Sequence, residues 1–266
     1  MSKAAYCVEL CKIHKSFGGN AVLRGIDLQV RPGEILTLLG GSGSGKSVML
    51  KHMIGLLHPD RGRVLVEGED TSRYSENQWV EVRRGFGYVF QGAALFDSLS
   101  VYENVAYPLR EHRRWAEEQV TDRVAECLAA VGLDGVEQRM PAELSGGMRK
   151  RVGVARAIAL APKVILYDEP TTGLDPANSR RIGELIASLQ RRLEVTSVVV
   201  THDLEVCFGI SDRIVLLKDG HLVAEGSADE LRASGQPEVR EFLGGGVLWK
   251  TAAPSIASER GSLHGG

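Results

Sequence analysis

Residues 40–47 read Gly-Gly-Ser-Gly-Ser-Gly-Lys-Ser, and this stretch says more about the fold than any other part of the sequence. They follow an apolar run at 35–39 and precede a stretch at 47–57 with the pattern of a helix. A G-x-x-x-x-G-K-[ST] motif between a strand and a helix binds phosphate, because its glycines let successive main-chain N–H groups surround the anion. The alternative is a flexible turn that happens to precede a lysine. We expect phosphate binding by Gly40, Gly41, Ser42, Gly43, Ser44, Gly45, Lys46 and Ser47.

Catalytic and metal-binding roles are predicted at this loop and at a second strand end. Lys46 is expected to reach the β and γ phosphates of a nucleoside triphosphate, and the Ser47 hydroxyl to ligate Mg²⁺. The apolar run at 164–167 ends in Asp168 and Glu169, at the edge where open α/β sheets place ligands. Asp168 can hold Mg²⁺ through water, and Glu169 can orient or deprotonate the attacking water. A lone Asp-Glu pair is often a plain acidic turn, but the phosphate-binding loop favours the catalytic interpretation.

Two further polar residues follow apolar runs. His202 comes after the run at 196–200 and would project to the same sheet edge, where it could hydrogen-bond the γ-phosphate or the water. The other six histidines are interpreted as ordinary surface or core residues. Gln91 follows the run at 86–90 and would reach the Mg²⁺ and the attacking water while beginning the helical region.

A second phosphate-binding helix start is predicted at Ser145, Gly146 and Gly147. Ser145 suits an N-cap, and the two glycines leave main-chain N–H groups bare. One nucleotide is not easily held by two helix starts of one compact domain, so the simplest arrangement is a head-to-tail dimer. In that dimer this segment of one copy closes over the nucleotide held by the other. Phe17 is either a platform on which adenine stacks or a plain core aromatic.

Composition argues against some function classes. The chain has 32 Lys and Arg and 34 Asp and Glu, for a formal net charge of −2, so no nucleic-acid partner is expected. The four cysteines lack C-x-x-C or metal-finger spacing. The longest apolar runs fall short of the ~20 residues that span a bilayer, so any membrane work would require a partner. No transit peptide is visible, which favours a bacterial cytoplasmic protein.

The order of apolar and turn segments predicts an α/β fold. No internal repeat is present, which indicates a single unit. We expect β segments within 5–39, helices mainly within 93–160, and parallel strands at 164–167 and 196–200 that helices cover on both faces. A late hairpin is expected at 214–224.

Three stretches are interpreted more narrowly. The one that carries Trp79 is polar and rich in turn residues. Residues 116–131 repeat apolar positions with helical spacing, which indicates core packing. Residues 244–266 are rich in Gly, Ser and Ala and are expected to form a flexible tail.

Together these residues resemble the ATP-binding cassette (ABC) family. The matching signals, in order, are the loop at 40–47, Gln91, LSGGM at 144–148, ILYDEP at 165–170, Gly-Leu-Asp at 173–175 and Thr-His-Asp at 201–203. The resemblance implies a RecA-like P-loop NTPase core with an antiparallel β subdomain and an inserted α-helical subdomain at about 93–160, within a domain of residues 5–243. It also implies an ATPase that closes as a dimer on ATP and opens after hydrolysis, with Val48 and the D-loop residue Asp175 added to the nucleotide site.

Three longer segments are similar to ATPases of the Mla (maintenance of lipid asymmetry) group, which serves lipid transporters with MCE proteins. They are residues 90–112, 143–160 and 237–245. The similarity implies phospholipid traffic between inner and outer membranes, with an MlaE-type permease and an MCE-domain protein as partners, and it allows for a small STAS-domain partner. The chain would then lie at the cytoplasmic face of the bacterial inner membrane, held there by the permease.

The sequence departs from the common cassette pattern at a few positions. Gly41 replaces Pro, Val48 replaces Thr, Met148 replaces Gln, and Thr-Gly at 172–173 replaces Ser-Ala. The nearest alternative function is the same ATPase on another importer or exporter. A cassette protein of translation or DNA repair would carry two cassettes or a long coiled-coil insertion, and a small-molecule P-loop kinase would need neither LSGGM nor a D-loop.

Overall fold

The computed structural model describes residues 5–111 and 115–244, which form two sheets and the helices packed on them. The predicted flexible tail lies, from residue 245 onward, outside the described residues. The strands are β1 (Val8–Phe17), β2 (Asn20–Val30), β3 (Ile35–Leu39), β4 (Arg61–Val66), β5 (Glu69–Asp70), β6 (Phe86–Val89), β7 (Val164–Asp168), β8 (Thr196–Thr201), β9 (Arg213–Lys218) and β10 (His221–Gly226). The helices are α1 (Lys46–Met53), α2 (Glu76–Arg83), α3 (Val101–Glu111), α4 (Glu117–Ala130), α5 (Gly146–Ile158), α6 (Pro176–Leu193), α7 (Leu204–Ile210), α8 (Ala228–Ala233) and α9 (Pro237–Gly244).

Six strands form the sheet that carries the candidate site, in the order β10-β9-β3-β8-β7-β6. Five of them run parallel, and β10 pairs antiparallel with β9 as the predicted hairpin. Every residue of β3, β7 and β8 is buried, because a parallel sheet covered on both faces has no solvent side. The carboxyl ends of these three strands lie side by side, with Leu39 opposite Thr201 and Asp168 opposite Val200.

The second sheet is antiparallel, in the order β2-β1-β4-β5. Its buried side chains share one core cluster with α1, through Met49, Leu50 and Met53, and with Leu36 and Leu38 of β3. Burial of a side chain of this size stabilises the fold by about 1.5–3 kcal/mol. The helix that follows the phosphate-binding loop is therefore fixed by packing against both sheets.

Between β6 and β7, the described residues form three α-helices that pack on one another, α3, α4 and α5. Val120, Val124 and Leu128 of α4 are buried, which confirms that this apolar stripe is core. Helix α5 also packs on β6, so it joins the helical region to the sheet that carries the site. Within residues 5–111 and 115–244, no helix combines the length and apolarity needed to cross a bilayer.

The predicted α/β fold, with its antiparallel and helical parts, is confirmed, but two local predictions were wrong. The helix predicted at 47–57 ends at Met53, because Gly55 takes a positive φ of 64° beneath the ring of Trp79. A Cβ on residue 55 would lie 2.1 Å from Cε2 of that ring. The turn-rich stretch around Trp79 is instead helix α2, which begins with a Ser75–Gln78 capping box.

Candidate functional site

The phosphate-binding loop is a tight turn that only small residues can form at two positions. Gly45 has φ 107°, and a Cβ there would lie 2.7 Å from Cδ2 of Leu23. A Cβ on Gly40 would lie 2.4 Å from the main-chain oxygen of Leu217. Close contacts with Leu23 of β2 and Leu217 of β9 therefore constrain the loop on two sides. Residues 41–43 are exposed to solvent.

The loop leads directly into the first turn of α1. Gly45 is the N-cap residue, and no side chain among the described residues caps this end, so its first main-chain N–H groups remain available to an anion. The side chain of Val48 packs against the core cluster. At Val48, therefore, only the main chain is placed to meet a phosphate.

Lys46 lies at the centre of the site with a side chain only 6% exposed. Its ammonium donates to the main-chain oxygens of Gly40 (2.8 Å) and Gly41 (2.9 Å) and lies 3.8 Å from Oε1 of Glu169. Burial lowers the pKa of Lys46, and the carboxylates of Glu169 and Asp168 partly offset this. The loop lysine and the strand-end carboxylates predicted from sequence are thus brought together.

Asp168 is held by two hydroxyl groups at the carboxyl end of β7. The Ser47 hydroxyl donates to Oδ1 (2.7 Å) and the Tyr88 hydroxyl to Oδ2 (3.0 Å). Burial, together with the Asp168 charge, raises the pKa of Tyr88 well above its usual value, so Tyr88 stays a neutral donor. Sequence reasoning missed Tyr88, which is hidden in the apolar strand β6.

Two of the predicted catalytic groups, Lys46 and His202, converge on Glu169. Its backbone takes a left-handed φ of 49°, and its N–H donates to the main-chain oxygen of Val200 (2.9 Å). Its Oε2 lies 2.8 Å from Nδ1 of His202 and accepts a 3.3 Å bond from the Thr172 hydroxyl. Thr172, which entered the sequence analysis only as a departure from the D-loop pattern, is thus a second side chain that orients this carboxylate.

Gln91 stands apart from this cluster. It is exposed, and the contact found for it runs through its main-chain oxygen, which accepts a bond from Lys150. In the described part of the chain, no hydrogen bond joins its side-chain amide to Ser47 or Asp168. The predicted role of Gln91 as a Mg²⁺ ligand therefore has no support from a hydrogen bond to the other two predicted ligands among the described residues.

The second predicted phosphate-binding segment also lies apart from the loop at 40–47. Ser145 caps α5, and its hydroxyl accepts from the Met148 N–H (3.3 Å). Gly146 and Gly147 lie near Leu174 and Asn178 instead. Across residues 5–111 and 115–244, no hydrogen bond or ion pair connects 145–147 to the phosphate-binding loop.

The two remaining predicted residues are both near solvent. Asp175 is exposed and caps α6 by accepting from the Asn178 N–H (3.0 Å). This bond and a second one from the Asn178 side chain lower the pKa of Asp175.

Phe17 is 46% exposed at the end of β1, with the Lys15 ammonium 5.6 Å from its ring centre. The plain core interpretation of Phe17 was therefore wrong.

We expect Tyr88→Phe to lower the apparent affinity for Mg²⁺ in turnover and to leave the binding of metal-free nucleotide unchanged. Asp168 would lose one of its two hydroxyl donors, worth about 1 kcal/mol. The Mg²⁺ concentration for half-maximal ATPase activity should rise by about fivefold, while ATP affinity measured in EDTA stays unchanged. Tyr74→Phe is a matched control, because its hydroxyl donates to an exposed carboxylate, Glu69 Oε2 at 2.6 Å. An identical Mg²⁺ dependence in both variants would contradict this role.

One ammonium, one hydroxyl, two carboxylates and one imidazole lie together at the carboxyl edge of the six-stranded sheet. They belong to Lys46, Ser47, Asp168, Glu169 and His202. Such a set can bind a triphosphate and activate a water for in-line attack. Comparison with known proteins agrees with that chemistry. The family model described as ABC transporter matches residues 23–172.

Two curated relatives and one solved structure illustrate the similarity. The chain is 43% identical over 265 residues to the probable ribonucleotide transport ATP-binding protein mkl of Mycobacterium tuberculosis, covering 97% of this chain and 74% of the relative. It is 42% identical to the intermembrane phospholipid transport system ATP-binding protein MlaF of Haemophilus influenzae, covering 86% of each. The dimeric post-hydrolysis structure of the ATP-binding cassette MJ0796 bound to ADP and Pi superposes with a TM-score of 0.77 at 35% identity, covering 83% of this chain and 98% of that one.

Proposed function

We propose that this chain, which belongs to the ABC transporter family, powers phospholipid transport between the inner and outer membranes. As a member of that family it binds nucleotide and couples ATP hydrolysis to transport. The observation that carries the lipid assignment is the 42% identity to a phospholipid transport ATPase, over 86% of both chains. The mkl relative, named for ribonucleotide transport, favours ribonucleotides as a second candidate cargo.

The loop and the first turn of α1 would hold the phosphates of ATP. In this proposal residues 40–48 contribute main-chain N–H groups, and Lys46 leaves the loop carbonyls to contact the β and γ phosphates. Phe17 stacks on the adenine, which its exposure and its position at the end of β1 support.

The donor set beside Lys46 fits Mg²⁺. Ser47 and Asp168 offer hard oxygen atoms 2.7 Å apart, and Mg²⁺ is usually held by one or two such protein ligands together with substrate phosphates and water. In the described residues, no group of three or more His, Cys, Asp or Glu side chains forms a larger metal cage. When bound there, Mg²⁺ would neutralise charge on the β and γ phosphates. Gln91 is proposed as a further ligand.

Glu169 would act on the attacking water. Its carboxylate accepts the water proton, while His202 and Thr172 fix its orientation. The imidazole of His202 is 61% exposed, so its Nε2 side is accessible to the γ-phosphate. Burial of Lys46 keeps its charge close to the transferred phosphoryl group, where charge stabilisation matters most.

ABC ATPases dimerise and pair with membrane permeases. The separation of 145–147 from the loop at 40–47 supports a head-to-tail dimer in which Ser145, Gly146, Gly147 and Asp175 of one copy complete the site of the other. We further propose an MlaE-type permease and an MCE-domain protein as partners, with a STAS-domain protein as an additional subunit. The ATPase would lie on the cytoplasmic face of the inner membrane, held by the permease.

Purification of the chain with its membrane partners tests the cargo. We expect an MlaE-type permease and an MCE-domain protein to be recovered, with phospholipid bound to the MCE protein. In vesicles, the reconstituted complex should move fluorescent phospholipid only when ATP and Mg²⁺ are supplied. Recovery of an amino-acid or drug permease without an MCE protein would overturn the lipid assignment, and uptake of ribonucleotide instead of lipid would establish the second candidate.

A further inference from the structure

Lys150 is a buried cation on the helix that follows the Ser145–Gly147 segment. It lies in the second turn of α5 and is 7% exposed. It makes no ion pair with a carboxylate within the described residues. A buried ammonium is costly unless hydrogen bonds satisfy it, so its two acceptors are informative.

Both acceptors are main-chain oxygens at the carboxyl edge of the six-stranded sheet. The Lys150 ammonium donates to the main-chain oxygen of Gln91 and, at 3.5 Å, to that of Glu169. Gln91 is separated from the end of β6 by one residue, and Glu169 comes directly after β7. The two strands are neighbours in the sheet. One side chain of α5 thus bridges the ends of two adjacent strands.

The backbone that Lys150 contacts is held in an unfavourable conformation. Glu169 has φ 49°, in the left-handed region that residues with a side chain avoid. Its N–H donates to the main-chain oxygen of Val200 of β8, and its carbonyl accepts from the Thr172 N–H at 3.3 Å and from the Lys150 ammonium at 3.5 Å. The backbone of the residue that carries the proposed catalytic carboxylate is therefore held by the sheet through its N–H, and by α5 together with the turn at Thr172 through its carbonyl.

The same helix also holds the residues after Gln91. Arg156 donates to the main-chain oxygens of Ala93 and Ala94, both at 2.8 Å, and both alanines have positive φ, 62° and 46°. Among the described residues, no hydrogen bond joins Arg156 to Gln91 or Glu169, whereas Lys150 makes one to each.

We infer that Lys150 is a positioning residue for ATP hydrolysis, which ties the helix behind Ser145–Gly147 to the main chain of Gln91 and Glu169 in the same subunit. The inference rests on the proposed roles of Glu169 and Gln91. Movement of α5, when its N-terminal segment engages a second copy, would then pass through the Lys150 ammonium to the catalytic carboxylate. Closure of the dimer and activation of the water would then be linked in part through this side chain.

The test is Lys150→Met, which keeps the length of the side chain and removes its charge and donors. We expect kcat for ATP to fall at least about tenfold, because small misplacements of a catalytic group are costly, while KM and the affinity of the chain for Mg-ATP change by less than about twofold. Amide hydrogen exchange should become faster at 92–93 and 171–172. Lys150→Leu, which also removes the charge and the donors, serves the same test if the methionine variant does not fold.

Arg123→Gln is the matched control for lost packing of α5. Its guanidinium donates to the main-chain oxygens of Ile158 and Ala159 at the far end of that helix, away from Gln91 and Glu169. We expect Arg123→Gln to keep kcat and to change exchange only near 158–161. Equal kcat values in the Lys150 and Arg123 variants, or a loss confined to KM, would overturn the inference. Normal turnover in Glu169→Gln would overturn the proposed function instead.

Discussion

The variant Glu169→Gln should bind ATP with nearly unchanged affinity but hydrolyse it at least about 100-fold more slowly, the usual contribution of a general base. The amide keeps the size of the side chain and can still contact His202 and Thr172, which hold Oε2 at 2.8 and 3.3 Å. It cannot accept the proton of the attacking water. If hydrolysis reopens the dimer, as the resemblance to ABC ATPases implies, the variant should accumulate as an ATP-bound dimer on size-exclusion chromatography.

Glu205→Gln is a suitable control for this variant. Glu205 lies on α7, is exposed and pairs with Arg180 at 3.0 Å, so its replacement should leave turnover intact. The role of Glu169 would be refuted by full ATPase activity in Glu169→Gln. Loss of ATP binding in parallel with turnover would show that Glu169 acts on the phosphates instead of the water.

The variant Lys46→Met should lose nucleotide binding itself. Charge-assisted bonds contribute about 1.5–3 kcal/mol each, so loss of two phosphate contacts predicts affinity at least about 100-fold weaker. Binding of a fluorescent ATP analogue measures this directly. Saturating ATP raises unfolding free energy by about 2.7 kcal/mol at 100 times Kd, and most of this gain, visible as a higher Tm, should be absent in the variant.

Lys51→Met provides the comparison on the same helix. Lys51 is in the last turn of α1 and is exposed, whereas Lys46 is buried against Gly40 and Gly41. The Lys51 variant should bind ATP as the parent does. Equal affinities for the two variants would mean that the main-chain N–H groups alone hold the phosphates.

Much of the site could be predicted because its residues follow parallel strands, either directly or after one loop. Asp168, Glu169 and His202 stand at or just after strand ends, and Lys46 and Ser47 begin the helix that follows the loop after β3. Parallel strands bring such positions to one edge of the sheet. The contacts between Ser47 and Asp168 and between His202 and Glu169 are the outcome of that rule. The local sequence was sufficient to predict these residues, because the parallel sheet brings positions that are distant in sequence close together in space.

Two of the residues that were missed, Tyr88 and Lys150, lie inside regular elements and act over long sequence separations. Tyr88 occupies an apolar strand and reaches a partner 80 residues away, while Lys150 stands between two arginines and resembles an ordinary surface cation. Neither has a local signature. Helix α2 is different, since its Ser75–Gln78 capping box was visible in the sequence as a helix start.

The strand order of the larger sheet also governs when the site can exist during synthesis. The central strand β3 ends at Leu39, but its two neighbours, β8 and β9, begin only at Thr196 and Arg213. At ~5–20 residues per second, a ribosome needs roughly 10–30 seconds to cover that interval. During this time β1, β2 and β4 can pair locally while the apolar β3 has no partner strand. The nascent chain therefore exposes an apolar strand of the kind that favours aggregation until its partner strands are made, and the sheet edge that carries the site forms late in translation.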